Sequence, residues 1–347
     1  KADISGIQAL GSGFVKPPDA ARPGVYWYFM DGNLSEEGMT KDLESMAAAG
    51  IGNLIFLEVN VGVPRGRVDF LSDRWLDLFA HAEKECRRLN IDMTLGIGPG
   101  WSGSGGPWVA PEQSMQPLVS STVAVSANET KKIKLPVPAP KRPFFGEGGF
   151  TPGLKKQWQD FYEDVAVLAF PQPSDTGKIK DIDEKALYYR APYSSVAGVK
   201  PFLVPDTGNV SAGDAVSKKE IIDLTDKLQP DGTLNWEVPQ GNWIVMRFGR
   251  RNNGAVTRPA PFPGLGFEED KMDTGALNAH LDHYTGRIFK KTGKPAKASE
   301  GGLKFLHMDS WEMGAQNWTK NFRPEFIKRR GYDPLPFYPV YSGVVVE

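Results

Sequence analysis

Three short apolar runs separated by helical periodicity, all within residues 22–117, restrict the possible folds more than any other feature of the sequence. Val25-Tyr-Trp-Tyr-Phe-Met30, Leu54-Ile-Phe-Leu57 and Ile91-Asp-Met-Thr-Leu-Gly-Ile97 read as buried strands. Between the first two, polar start signals at Asn33–Glu36 open a helix that ends at Gly50, with Met39, Leu43 and Met46 at helical spacing. Between the second and third, Ser72-Asp73 can cap a helix that runs through Leu89. Short buried strands alternating with helices imply a parallel sheet.

A fourth such strand, Lys304–Met308, arrives roughly two hundred residues later, far beyond a normal strand-to-helix loop. Something is inserted. Ser121–Val125, Lys132–Leu135, Asp164–Phe170, Ala186–Arg190 and Asn242–Phe248 alternate or run apolar between Pro/Gly turns, the texture of a β-sandwich-like module. The 38 Gly and 28 Pro among 347 residues fit many turns and long loops. Met272, Ala276, Leu277, Leu281, Tyr284 and Ile288 then mark a helix over 270–291 that returns the chain to the fourth strand.

The expected fold is therefore α/β: a partial (β/α)8 TIM barrel, its first four strands only, carrying an inserted β-sandwich-like domain. Residues 1–117 would supply strands 1–3, residues 118–255 the β-rich insert, and residues 256–347 the barrel continuation with a helix, strand 4 and helix 4. Half a barrel leaves two sheet edges and an apolar interior unpaired. Such a chain is a fragment, is completed by a second polypeptide, or closes its sheet another way. The alternative is an open α/β sheet with an inserted domain.

A formal net charge of −1 leaves no electrostatic footprint for nucleic acid or an anionic membrane, so the expected partner is neutral. The single cysteine, Cys86, excludes an internal disulfide and sits at a buried position of the second helix. No apolar run approaches the roughly 20 residues of a membrane span, and Lys1-Ala-Asp-Ile-Ser lacks a signal-peptide core. Either the protein is cytoplasmic or its export signal has been removed.

The chemistry concentrates where the fourth strand ends. Phe305-Leu-His-Met-Asp-Ser-Trp-Glu312 closes an apolar run with a carboxylate pair, Asp309 and Glu312, beside Trp311. A carboxylate just past the C-terminal end of a strand, with a helix next, is where barrel enzymes place their chemistry, and Glu312 reads as the acid of a sugar-cleaving site. Asp31 and Glu58 follow the first and second strands and would share that rim, able to hold sugar hydroxyls or a hard cation such as Ca²⁺. Asp31 reads equally as a turn residue, in Asp-Gly-Asn. Gly98-Pro-Gly-Trp-Ser-Gly103 matches a dinucleotide-loop pattern, but Pro99 and Pro107 oppose the required turn and helix. It reads instead as a glycine-rich loop that lays Trp101 and Trp108 over a ligand, unless both are core tryptophans.

Other candidates carry little. His280 and His283 stand three apart on a helix without a third ligand nearby, so packing or exposure accounts for them. His307 reads as a hydrogen-bonded interior group. Arg247, Arg250 and Arg251 read as a solvated strand end, and Lys328-Arg-Arg330 suits a helix C-terminus. No metal ligand set is evident from the sequence.

Several stretches together resemble the glycoside hydrolase family 106 α-L-rhamnosidases of bacteria. They are Arg22-Pro-Gly-Val-Tyr-Trp-Tyr-Phe-Met-Asp-Gly32, Gly98–Trp108, Gly241-Asn-Trp-Ile-Val-Met-Arg-Phe-Gly249, Asp309-Ser-Trp-Glu312, Asn317-Trp-Thr and Arg329-Arg-Gly-Tyr-Asp333. The resemblance implies a longer protein with a complete barrel followed by β-sandwich domains, a removed signal peptide, and a periplasmic or secreted location. It implies an inverting glycosidase that removes terminal rhamnose from bacterial or plant glycans, with calcium near the sugar. In that scheme Glu312 is the general acid, needing a raised pKa, and a base across the sugar activates water roughly 6.5–9.5 Å away. That base is expected in the absent half, so this chain alone would be inactive or nearly so. Asp31, Glu58, Trp101, Trp108, Asp309 and Trp311 would bind the sugar or, for some, the cation. Alternatives are another barrel glycosidase of β-galactosidase or β-glucuronidase type, or a carbohydrate-binding protein that kept the pocket without the chemistry.

Overall fold

The computed structural model describes residues 4–126, 132–143, 146–174, 178–188, 214–309 and 317–347. Contacts divide the chain into two units. One draws on Lys1–Val109, Val256–Glu269 and Leu277–Trp311, the other on Ala110–Ala255, Asp270–Ala276 and Glu312–Glu347. The chain begins with α1 (Ile4–Val15), β1 (Gly24–Met30), α2 (Glu36–Ala48), β2 (Asn53–Val59), α3 (Asp73–Leu89) and β3 (Asp92–Gly96). The second unit follows with β4 (Leu118–Ser126), β5 (Lys132–Lys134), α4 (Pro152–Asp160), β6 (Glu163–Pro171), α5 (Ile182–Lys185), β7 (Ala215–Val216), β8 (Ile222–Asp223), β9 (Thr233–Asn235) and β10 (Asn242–Arg250). Then come α6 (Thr274–Thr292), β11 (Gly302–His307), α7 (Phe322–Arg330) and β12 (Val345–Val346).

In the first unit β1-β2-β3-β11 form a four-stranded sheet, and every pairing is parallel. The register sets Trp27 beside Phe56 and Leu54 beside Met93, so the residues at these positions face one side of the sheet. There they meet Met39 and Leu43 of α2, Trp75, Leu78 and Phe79 of α3, and Tyr284 and Ile288 of α6 in one buried cluster. Burying each of these large side chains is worth roughly 1.5–3 kcal/mol, and this face is what fixes the helices to the sheet. The helices start where the sequence places polar caps: Ser35 Oγ accepts from Gly38 N at 3.1 Å, and Ser72 Oγ from Trp75 N at 3.2 Å. Asn90, left-handed at φ 52°, ends α3. Tyr26, Tyr28 and Met30 alternate onto the opposite face.

The second unit contains an antiparallel sheet, β4-β10-β6-β8, and two two-stranded pairs, β5-β9 and the parallel β7-β12. One face of the large sheet buries Phe170, Phe248, Trp318 and Tyr338, the other Val167, Val245, Leu234, Trp236 and Trp243. Two expectations are corrected here. Ala186–Tyr188 form turns after α5 rather than a strand, and residues 189–190 lie outside the described residues. Arg247, Arg250 and Arg251 are buried, not a solvated strand end. Arg247 grips Asp164 through Nε and Nη2 at 2.7 and 2.8 Å, Arg250 pairs with Glu163 and donates to Gln116 Oε1 at 3.0 Å, and Arg251 donates to the carbonyls of Pro138, Gln159 and Phe161. Guanidinium forks can be buried because their fixed donors meet carboxylate and carbonyl acceptors in plane.

Candidate active site

The described part of the candidate site is built in the first unit, at the C-terminal ends of its parallel strands. After β1 the chain turns at Asp31 and Gly32, both with positive φ (40° and 81°). Asp31 is buried, and its Oδ1 accepts from Phe262 N at 2.8 Å. Its main chain is also committed, N to Val59 O at 2.9 Å and O to Gly66 N at 2.8 Å. Turn residue and rim residue thus coincide in Asp31.

Glu58 lies on the helix-facing side of β2. Gly32 N donates to its Oε1 at 2.7 Å and the Trp75 indole N–H to its Oε2 at 2.6 Å. Burial pushes its carboxyl up to about 7, the nearby Asp31 charge adds to the rise, and the two donors oppose it. Both oxygens being engaged, Glu58 ties the β1 turn to α3 and organises the rim.

On the other face stands an aromatic platform. Tyr26 and Tyr28 stack with ring centroids 5.4 Å apart. Trp101, 46% exposed, stands beside Tyr28 with its indole turned to the phenol. Burial, Tyr26 and the charge of Asp309 raise the Tyr28 phenol, and the neighbouring Trp101 indole opposes the rise. His307 meets Tyr26 edge-on at 6.3 Å, and its Nε2 lies 3.5 Å from Asp309 Oδ2. His307 is thus largely buried on this face, its side chain 26% accessible, and its shielded Nε2 makes no hydrogen bond among the described residues, where a hydrogen-bonded interior group was expected. Trp101 is held by its loop: Gly100 N donates to Glu58 O at 2.9 Å, and Trp101 N and Ser102 N to Arg258 O at 2.9 and 3.1 Å. Gly100, at φ 84°, has no room for a side chain, since a Cβ there would stand 2.6 Å from the Arg258 carbonyl.

The structure brings Trp101 and Asp309 together on the platform and Asp31 with Glu58 behind it. Trp108 is elsewhere, turned onto α6. Its indole N–H donates to His280 Nδ1 at 3.0 Å, its ring stacks on His283 at 4.5 Å, and His280 Nε2 meets the Ile97 carbonyl at 2.6 Å. Those two contacts set a neutral His280 with its proton on Nε2. Trp311 and Glu312 lie outside the described residues. The sequence reading missed Tyr26 and Tyr28, whose signal was there: aromatics with hydroxyls at alternate positions, opposite the core pair Trp27 and Phe29.

Among the described residues no group of three or more His, Cys, Asp or Glu could hold a metal ion. Asp31 gives one oxygen and Glu58 both to N–H donors, whereas Ca²⁺ needs six to eight oxygen ligands. As held here, Glu58 keeps no uncommitted oxygen to offer a cation, whereas Asp31 keeps Oδ2.

Comparison with known proteins supplies the context for this geometry. A protein of Formosa agariphila, provisionally named beta-glucuronidase, is 37% identical over 341 residues, which are 98% of this chain and 27% of that protein. The solved structure of a rhamnosidase from Novosphingobium sp. PP1Y superposes with a TM-score of 0.75 at 25% identity, over 97% of this chain and 43% of that one. The chain thus spans about a quarter of the first relative's length and under half of the second's. The family profile described as alpha-L-rhamnosidase matches residues 15–347, and the chain belongs to that family, glycoside hydrolase family 106.

Proposed function

We propose that this chain is the amino-terminal part of an inverting, α-L-rhamnosidase-like glycosidase that removes terminal rhamnose from bacterial or plant glycans in the periplasm or outside the cell. The observation that carries the reading is the Tyr26–Tyr28–Trp101 platform with Asp309 at its edge, at the ends of parallel strands. Aromatic faces pack on the C–H faces of a sugar ring, and a carboxylate beside them accepts from its hydroxyls. Deoxy sugars such as rhamnose present more apolar surface to such a wall.

The four parallel strands are read as the first half of a (β/α)8 barrel, and the antiparallel sheets of the second unit as an inserted β-sandwich-like domain. In a flat sheet β1 and β11 would stand three strand spacings, roughly 14 Å, apart. Their Tyr26 and His307 rings lie 6.3 Å apart instead. Rings that lean toward one another on that face are what strands beginning to curl into a barrel would present, which supports the reading.

In the proposed reaction Glu312 gives its proton to the glycosidic oxygen as the C–O bond breaks. A base from the rest of the parent protein takes a proton from the water that attacks the opposite face. The platform holds the departing sugar ring; Trp311 joins it in this scheme. The test uses the full-length parent. Glu312→Gln should abolish hydrolysis of an unactivated rhamnoside while leaving rhamnose binding by calorimetry nearly intact, and proton NMR of the unmodified enzyme should show the inverted anomer first. Near-normal turnover in the variant overturns the assignment. The Formosa relative's name favours a second reading, a β-glucuronidase-like enzyme. Parallel rates on aryl α-L-rhamnoside and aryl β-glucuronide separate the two.

A further inference from the structure

His280 stands on α6 within the first unit and is 1% exposed. A buried imidazole is costly unless its ring nitrogens find partners, and here each finds one at an opposite end of the glycine-rich loop. Its Nε2 meets the Ile97 carbonyl at 2.6 Å, where the loop leaves β3, and its Nδ1 accepts from the Trp108 indole N–H at 3.0 Å, where the loop ends. A carbonyl only accepts and an indole N–H only donates, so a single tautomer of one imidazole serves both. The segment 97–108 is thereby drawn into a closed ring with His280 as its clasp.

A loop of this composition needs a clasp. Gly98, Gly100, Gly103, Gly105 and Gly106 lie within it, and Gly100, Gly105 and Gly106 take positive φ of 84°, 125° and 148°. Glycines lose the most conformational freedom on ordering, so a segment rich in them spreads over many arrangements unless its ends are fixed. Trp101 lies within this segment and stands beside Tyr28 of the platform. The clasp is itself firmly set. The Trp108 ring stacks on His283 at 4.5 Å and on Tyr284 at 6.2 Å, and Tyr284 stacks in turn on Phe70 of the buried cluster at 5.9 Å. At the other end, Ile97 N donates to the His307 carbonyl at 3.0 Å, on the strand end that leads to Asp309. One side chain of α6 thus ties the loop both to the core and to the rim.

We propose that His280 is a positioning residue for sugar binding: by joining Ile97 to Trp108, it holds the glycine-rich loop in the arrangement that lays Trp101 on the platform. His280 touches no sugar and acts through Trp101. The inference rests on the proposed reading of that platform as the wall for the sugar ring.

The test uses the full-length parent. Without any sugar, hydrogen exchange followed by mass spectrometry reads the clasp itself. In His280→Leu, peptides covering 98–108 should exchange about tenfold faster, while those of α2 and β2 keep their protection. His280→Gln, whose amide offers one donor and one acceptor in place of the two ring nitrogens, should restore most of that protection. With an aryl α-L-rhamnoside, His280→Leu should raise KM about tenfold and change kcat by less than about twofold, because a wall that holds the ring alike in ground and transition states acts on binding. A merely unstable variant would instead lose kcat through its inactive fraction, at unchanged KM. In a Trp101→Ala background, His280→Leu should add nothing to KM, since the indole through which it acts is gone. Should His280→Leu fail to fold, Trp108→Phe, which keeps a ring in the stack and removes the N–H, should reproduce both effects in weaker form. Unaltered exchange of 98–108 in the folded variant, or an effect on KM fully additive with Trp101→Ala, overturns the proposal. Rhamnoside hydrolysis by the parent with unaltered loop exchange in the variants sinks the clasp and leaves the rhamnosidase reading standing. A parent that hydrolyses no rhamnoside, yet whose loop loosens in His280→Leu, does the reverse.

Discussion

At the scale of one residue, Glu58 shows how burial and hydrogen bonding contend within a single carboxyl. Two N–H donors favour its ionised form, yet desolvation outweighs them and lifts it from 4.5 to about 7. The folded protein therefore holds one proton more than the unfolded chain between those values, so stability is full below pH 4.5 and falls as pH rises to 7. The shift corresponds to a loss of about 3 kcal/mol at most, one pKa unit being about 1.4 kcal/mol. Glu58→Gln should flatten this slope. It should also cost about 1–2 kcal/mol at pH 5, because an amide can accept from only one of the Gly32 and Trp75 donors. Urea denaturation of both proteins at pH 5 and pH 8 measures the two effects; a slope equally steep in the variant would assign the pH dependence to other groups. Asp31 and Glu58 were legible as strand-end carboxylates because a charge after a buried run needs a partner. Which way each points was not legible, since that depends on strand register and on backbone from residue 262.

At the scale of elements, strand β10 carries the clearest contrast between sequence and structure. Its apolar run marks the strand, and the arginines beside it look like a solvated end, because sequence periodicity cannot reveal the acceptors that arrive from elsewhere. Asp164 and the Leu135 carbonyl, 83 and 112 residues away from Arg247, make its burial possible. Asp164 is partly exposed, so removing its partner leaves a charge that water can reach. Arg247→Ala is therefore expected to cost about 2 kcal/mol, less than the 3–5 kcal/mol of a fully buried broken pair. A melt in which Arg247→Ala is indistinguishable from the unmodified chain would show the pair to be energetically idle. By contrast, β1, β2, β3, α2 and α3 were legible within a few residues, for local reasons: Ser35 and Ser72 cap their own helices, and apolar spacing matches the face each element buries. Ala186–Arg190 misled because aromatic and aliphatic residues favour strands only where a neighbouring strand is at hand, and Ala186–Tyr188 form turns.

At the scale of the molecule, the order β1-β2-β3-β11 leaves β1 and β11 with one strand neighbour each among the described residues. The long stretch between β3 and β11 was readable as a gap too long for a loop; the approach of the Tyr26 and His307 rings was not, because it joins residues far apart in the sequence. Tyr26, Tyr28, Phe305, Leu306 and Met308 remain exposed near those outer strands. Isolated sheets rarely leave so much apolar surface and so many edge amides in water. If a longer parent supplies the remaining strands, it covers both edges. Hydrogen exchange should then show the outward-facing amides of β1 and β11 exchanging at least about tenfold faster than those of β2 and β3 in the 347-residue chain. In the full-length parent the four strands should be protected alike. Equal protection of all four strands in the short chain would mean that its edges are already covered, and the half-barrel reading of the sheet would have to be given up.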